Sequence, residues 1–164
     1  MVLSEPTGRL RVAFERTQAS GDDLTGAMRR GVGLAQVTRE IYRAERHGSE
    51  LAIALVDLDG LREVNRRDGH AAGDRTLRLL VERLFDHMRP YDLVVRLGGD
   101  EFLCVLPDAD VETAQARLAA VAAGSGHGGP TPSFSVGVAT VEPGDTSEAL
   151  LARADADLRA RRAV

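Results

Sequence analysis

Two apolar runs separated by a pair of glycines constrain this chain more than any other feature. Leu93-Val94-Val95 leads into Arg96-Leu97-Gly98-Gly99-Asp100-Glu101, and Phe102 to Leu106 (FLCVL) follows. Runs this close together read as the two strands of a hairpin, which must pair antiparallel. Gly98-Gly99 suits the reversal because glycine accepts a positive φ without steric cost. The pair also leaves the backbone open to close approach by another molecule. Asp100 and Glu101 stand beside that opening. Two acids there can hold a hard cation, and the cation can hold a phosphate.

The chain has 164 residues, which fits one domain with a real core. Its formal charge of −4 argues against nonspecific nucleic-acid binding, which favours a basic footprint. No apolar run approaches the ~20 residues of a membrane helix, and the N-terminus lacks the apolar core of a signal peptide. A cytoplasmic location is the default expectation. Cys104 is the single cysteine, so no intrachain disulfide is possible. Its place in a predicted strand reads as a small core residue.

Residues 1–20 are weakly patterned, although Leu10, Val12 and Phe14 fit a short helix or strand. They read as an extension or linker ahead of a domain over 21–164. Asp22-Asp23-Leu24-Thr25-Gly26 signals a turn and a helix start. Leu34, Val37, Ile41 and Ala44 recur at helical spacing, with Gly48 as the stop. Leu51 to Val56 (LAIALV) is continuously apolar, as in a strand buried on both faces. A second helix is predicted over about 71–88 from Leu77, Leu80, Val81, Leu84 and Phe85 facing inward, and Pro90 ends it. A third helix fits Val111 to Ala123, and residues 124–132 form a loop. A strand over Phe134 to Val141 and a helix over Thr146 to Arg162 follow. The order predicts an α/β domain, with a central mixed, largely antiparallel sheet flanked by helices.

Asp57 ends the buried strand, where α/β proteins commonly place ligands. Asp59 lies two residues on, and Asp100 and Glu101 lie at another strand junction. Strand pairing could bring Asp57 beside Asp100. Oxygen-only ligands favour Mg²⁺ or Mn²⁺ over zinc. Two such ions lower the barrier to attack of a hydroxyl on a phosphoryl centre. The competing reading makes these acids solvated turn and capping residues.

Several ordered motifs carry a family resemblance over about residues 22–162. Asp22 to Arg30 (DDLTGAMRR) is similar to D-x-L-T-G-L-x-N-R. Asp57 to Asn65 (DLDGLREVN) is similar to D-x-D-x-F-K-x-x-N. Gly69 to Asp74 (GHAAGD) matches G-H-x-x-G-D, Ser135 to Ala139 (SVGVA) matches S-x-G-V-A, and Arg153-Ala154-Asp155 resembles a terminal R-A-D. Together with Gly98 to Phe102 (GGDEF), the chain resembles the GGDEF domains, the diguanylate cyclase family.

The resemblance implies the nucleotidyl cyclase/polymerase palm fold, with residues 21–164 as the catalytic domain. It implies condensation of two GTP molecules to cyclic di-GMP with release of pyrophosphate. By position, Asp57, the Leu58 carbonyl and Asp100 would hold Mg²⁺ or Mn²⁺. Asp100 or Glu101 would activate the ribose 3′-hydroxyl. Backbone amides at Gly60 and Leu61, with Arg62, would cradle phosphates, while Gly98 and Gly99 admit substrate. Arg162 falls where a phosphate-binding lysine is frequent, and Arg62 also replaces a lysine. Asn65 and Asp74 would read guanine, with His70 lining the pocket or fixing its loop. Arg89 and Asp92 form an R-x-x-D upstream of the hairpin, a spacing that marks a product-inhibition site in the family. The competing reading of this pair is a surface ion pair worth ~0–1 kcal/mol. One such domain supplies one GTP half-site, so catalysis needs a homodimer. The alternative is a noncatalytic receptor for cyclic di-GMP or GTP.

Overall fold

Leu51, Ala52, Ile53, Ala54, Leu55 and Val56 are all buried, and a strand can bury every residue only with packing on both faces. The computed structural model describes residues 20–126 and 129–164. The reading made for residues 1–20 lies almost wholly outside them. The elements run β1 (Met28–Arg29), α1 (Arg30–His47), β2 (Leu51–Leu58), α2 (Leu61–Asp68), α3 (His70–His87), β3 (Leu93–Arg96) and β4 (Glu101–Pro107). Then come α4 (Val111–Ala123), the two-residue strands β5 (Ser125–Gly126) and β6 (Gly129–Pro130), β7 (Phe134–Thr140) and α5 (Ser147–Arg162).

The main sheet has five strands in the order β1-β3-β4-β2-β7. β2 pairs antiparallel with both β4 and β7, β3 pairs antiparallel with β4, and short β1 runs parallel to β3. The mixed, largely antiparallel sheet expected from the sequence is therefore present. Alternation along the strands sends side chains to two layers. Ala52, Ala54, Val56, Phe102 and Cys104 pack with Leu77, Leu80 and Leu84 of α3 and Leu118 of α4. Ile53, Leu55, Leu103 and Val105 pack with Val37 and Ile41 of α1 and Leu150 and Leu158 of α5. Each such leucine contributes about 1.5–3 kcal/mol on full burial. α5 lies very close to β7, since a Cβ on Gly137 would overlap Ala154 O and the Leu158 backbone. Cys104 is fully buried, which pushes its thiol up to about 12 and leaves it a core residue.

The predicted elements are present, with four differences. Residues 22–26 signal a turn and a helix start, yet the two-residue β1 comes next and α1 begins only at Arg30. Residues 61–68 form a helix that the periodicity does not announce, because none of its residues is buried. Phe85 is 44% exposed, while its neighbour Leu84 is fully buried; one residue turns a helix by ~100° and carries Phe85 off the core face. The loop over 124–132 contains the small β5–β6 ladder. Among the described residues, no helix is long and apolar enough to cross a membrane.

Candidate active site

The register of β2 on β4 sets Asp57 opposite Glu101, and the Leu58 N–H donates to Asp100 O at 2.9 Å. Two acidic segments far apart in sequence thus meet at one end of the sheet. On the other side, Asp57 lies opposite Ser135 of β7. Just beyond Leu58, Asp59 accepts hydrogen bonds from Ser133 Oγ at 2.9 Å and Ser135 Oγ at 2.8 Å. Neither serine is suggested as a partner by local spacing, although Ser135 lies within the SVGVA run.

Burial is the largest influence on Asp57 and pushes its carboxyl above the usual range. A hydrogen bond from Arg162 opposes this, and the charges of Asp100 and Asp59 add to the rise. Arg162 Nη2 lies 2.9 Å from Asp57 Oδ2 and 3.7 Å from Asp59 Oδ1. The crowded carboxylates favour a positive group, and Arg162 supplies one. Among the described residues, no three carboxylate, imidazole or thiolate side chains converge on one point. Two carboxylates with a backbone carbonyl suit Mg²⁺, which commonly completes its shell with water and substrate phosphates. Asp57, Leu58 O and Asp100 therefore fit such an ion chemically.

The hairpin differs from the tight turn expected. Its tip spans Leu97 to Asp100, between β3 and β4, and neither Gly98 nor Gly99 has a positive φ. The longer tip spreads the reversal over four residues, so left-handed backbone is not needed there. Leu97 N–H and Gly98 N–H both donate to Glu101 O, at 2.9 and 3.3 Å. A Cβ on Gly99 would meet no atom within 4 Å, so the fold itself does not demand glycine at this position. Positive φ occurs instead at Gly60, the residue before α2, with φ 72°. No side chain caps that helix start, and its first amides lie next in sequence to the acids of β2. Arg62 is exposed there.

Arg96 holds the tip. Its guanidinium donates to Gly98 O at 3.2 Å and Gly99 O at 3.1 Å, and reaches Asp22 Oδ2 at 2.9 Å. Burial opposes ionisation of Asp22, yet hydrogen bonds from Arg96 and Thr25 outweigh it and hold the carboxyl below its usual value. Arg30 adds a bond to Leu97 O at 3.1 Å. The opening segment is thereby tied to the hairpin. This use of Arg96 escapes the sequence reading because its partner Asp22 is remote in the chain.

Asn65 lies where α2 meets α3. Its Oδ1 is buried without a hydrogen-bond partner and presses on Gly73, where a Cβ would overlap it. His70 is exposed at the start of α3, and half-buried Asp74 stands one turn later on the same face.

Arg89 and Asp92 lie elsewhere. Arg89 Nη2 donates to Pro107 O at 2.8 Å, at the end of β4 away from Glu101. Seven residues of strand separate these ends by ~20 Å. The Asp92 side chain has no exposed surface. It accepts from Arg89 N–H at 2.7 Å, Arg89 Nη2 at 3.2 Å and Arg117 Nη1 at 2.6 Å. The pair is therefore not a surface ion pair, and Asp92 faces inward as folded. Arg117, brought in by α4, is the member that sequence spacing misses. Arg89 also lies over the exposed Tyr91 ring, 4.7 Å from its centroid.

Residues 19–163 match the family model described as diguanylate cyclase, GGDEF domain. The chain belongs to the GGDEF domain family. This GGDEF domain is 34% identical over 157 residues to diguanylate cyclase DgcP of Pseudomonas aeruginosa, covering 91% of the chain and 23% of that protein. It is 37% identical over 144 residues to response regulator PleD of Caulobacter vibrioides, covering 82% of the chain and 32% of that protein. The chain thus spans about a quarter to a third of the length of these curated relatives. Among solved structures, diguanylate cyclase SiaD of Pseudomonas aeruginosa, in complex with its activator SiaC, superposes with a TM-score of 0.82. It shares 33% identity and covers 95% of this chain and 63% of that one. The sheet order and flanking helices are the nucleotidyl cyclase palm fold of these GGDEF domains.

Proposed function

We propose that this domain condenses two GTP molecules to cyclic di-GMP. The observation that carries this is the meeting of Asp57, the Leu58 backbone and Asp100 at one sheet end, beside the uncapped start of α2. In each of two steps, the ribose 3′-hydroxyl of one GTP attacks the α-phosphorus of the other. The 3′-oxygen–phosphorus bond forms, the bond to pyrophosphate breaks, and the hydroxyl proton is released.

Asp57, Leu58 O and Asp100 would hold Mg²⁺ or Mn²⁺, which would supply charge stabilisation at the phosphoryl centre. Asp100 or Glu101 takes up the hydroxyl proton. The α2 start at Gly60 and Leu61 binds terminal phosphates through amide N–H groups, with the Arg62 charge nearby. Asn65 and Asp74 read the guanine edge, Asn65 through an amide that can both donate and accept and Asp74 by accepting. His70 borders that pocket. The bare backbone at Gly98 and Gly99 leaves room for the substrate. One domain holds one GTP, so ring closure takes two copies facing each other.

Product inhibition is assigned to the Arg89 surface. The guanidinium and the exposed Tyr91 ring offer a fork and a stacking face, while Asp92 holds Arg89 in place from within.

The test is incubation with GTP and Mg²⁺ at high protein concentration, followed by product analysis. Cyclic di-GMP is expected, and its loss in Asp100→Ala. Failure to form product even when two copies are fused to a dimeric carrier refutes the cyclase reading.

A further inference from the structure

Three arginines end α5, and they point to different partners. Arg159 pairs with Asp155 and Arg161 with Asp157, each one turn back on the same helix. Arg162 instead crosses to β2, with its guanidinium 2.9 Å from Asp57 Oδ2. The Asp57 side chain is 14% exposed and that of Arg162 is 43% exposed. The guanidinium therefore lies on the solvent side of a largely covered carboxylate.

Arginine stays charged at every working pH, so this contact is a permanent cation against an acid assigned above to the metal. A divalent ion and a guanidinium cannot both claim the same face of Asp57 without strong like-charge repulsion. A triphosphate, in contrast, offers Arg162 a new anion that it can grip with its fork.

We propose that Arg162 is a resident counter-ion of Asp57, displaced when a metal–nucleotide complex arrives and turned then to its phosphates. Metal alone binds against Arg162. Metal with nucleotide binds with its help. The residue thereby favours the complex over the free ion. This rests on the reading of Asp57 as a metal ligand.

The test is a titration with Mn²⁺ followed by electron paramagnetic resonance, with and without a non-hydrolysable GTP analogue. Without nucleotide, Arg162→Ala is expected to bind Mn²⁺ about three- to tenfold more tightly, as expected when one competing charge is removed from a partly exposed pair. With the analogue, the same variant is expected to bind more weakly than wild type. Arg162 is exposed at a helix end, and circular dichroism checks that the fold is kept. Unchanged or weaker binding of Mn²⁺ alone in Arg162→Ala, with binding still lost in Asp57→Asn, overturns the counter-ion role and leaves the cyclase reading intact. Absence of Mn²⁺ binding in wild type and Arg162→Ala alike, or binding that survives Asp57→Asn, overturns the metal assignment and the counter-ion role with it. A second measurement needs no metal: the Arg162 Nη–H₂ resonances report restricted guanidinium rotation. That restriction is expected in wild type and lost in Asp57→Asn; free rotation in wild type also refutes the contact.

Discussion

Asp92→Ala removes the acceptor at the centre of the corner between α3 and β3. Three donors lose their partner: the Arg89 N–H, the Arg89 guanidinium and the Arg117 guanidinium. The carboxylate has no exposed surface, and the side chains of Arg89 and Arg117 are only 28% and 16% exposed. Breaking a buried pair from one side costs about 3–5 kcal/mol, because the remaining charge stays covered. Some relief comes from the solvent still reaching both arginines and from the bond of Arg89 to Pro107 O, which survives. The expected loss is therefore at the lower end, ~3 kcal/mol. With a urea m-value of about 2 kcal/mol/M, the unfolding midpoint falls by about 1.5 M with m unchanged. A double-mutant cycle with Arg117→Ala should give a coupling of about 1 kcal/mol or more. A midpoint shift below ~0.3 M is the behaviour of an exposed ion pair and refutes the burial argument.

Two further outcomes are expected. Arg96→Ala frees the carbonyls of Gly98 and Gly99 and the Asp22 carboxylate, so Asp100 loses its rigid support. Cyclic di-GMP formation should fall about 10–100-fold while circular dichroism is unchanged; turnover equal to wild type would show that the tip needs no such tether. Asp145 accepts from Arg153 at 2.6 Å, and that bond leads the influences holding its carboxyl below the ordinary 3.8. A folded pKa below the unfolded one adds stability that is present above the unfolded value and lost as pH falls through the folded one. Asp145→Asn should therefore be less stable than wild type at pH 7, and the gap should shrink below about pH 4 in urea titrations; a gap constant down to pH 2 contradicts the pairing.

The four longer strands, β2, β3, β4 and β7, were legible because their signal is local, whereas the two-residue strands β1, β5 and β6 were not. The LAIALV run can be satisfied only by cover on two faces, and α1 and α3 supply the helices on opposite sides. Helix α2 was not legible, since a short helix with no buried residue has no apolar period to read. Phe85 follows Leu84 by one residue, so the ~100° turn of the helix carries it off the face that Leu77, Leu80, Val81 and Leu84 bury. The Gly98-Gly99 pair signalled a reversal, but it did not reveal that the tip would be four residues long with ordinary φ. Asp92 reads from the sequence as half of an R-x-x-D product site, with a surface pair as the competing reading; its burial against Arg117 depends on where α4 packs.

The sequence by itself determined which residue types were available for chemistry: Asp57 and Asp59 around the end of β2, Asp100 and Glu101 around the start of β4, and the glycines between β3 and β4. It also determined the layered architecture, because residue spacing along one element decides which faces must be covered. Only the tertiary structure decided which of those groups touch. Antiparallel register placed Asp57 against Glu101, the reach of Arg96 to Asp22 fixed the hairpin, and the end of α5 set Arg162 on Asp57. Such contacts join segments far apart in the chain. Their distances follow from strand register and helix packing, which no local pattern records.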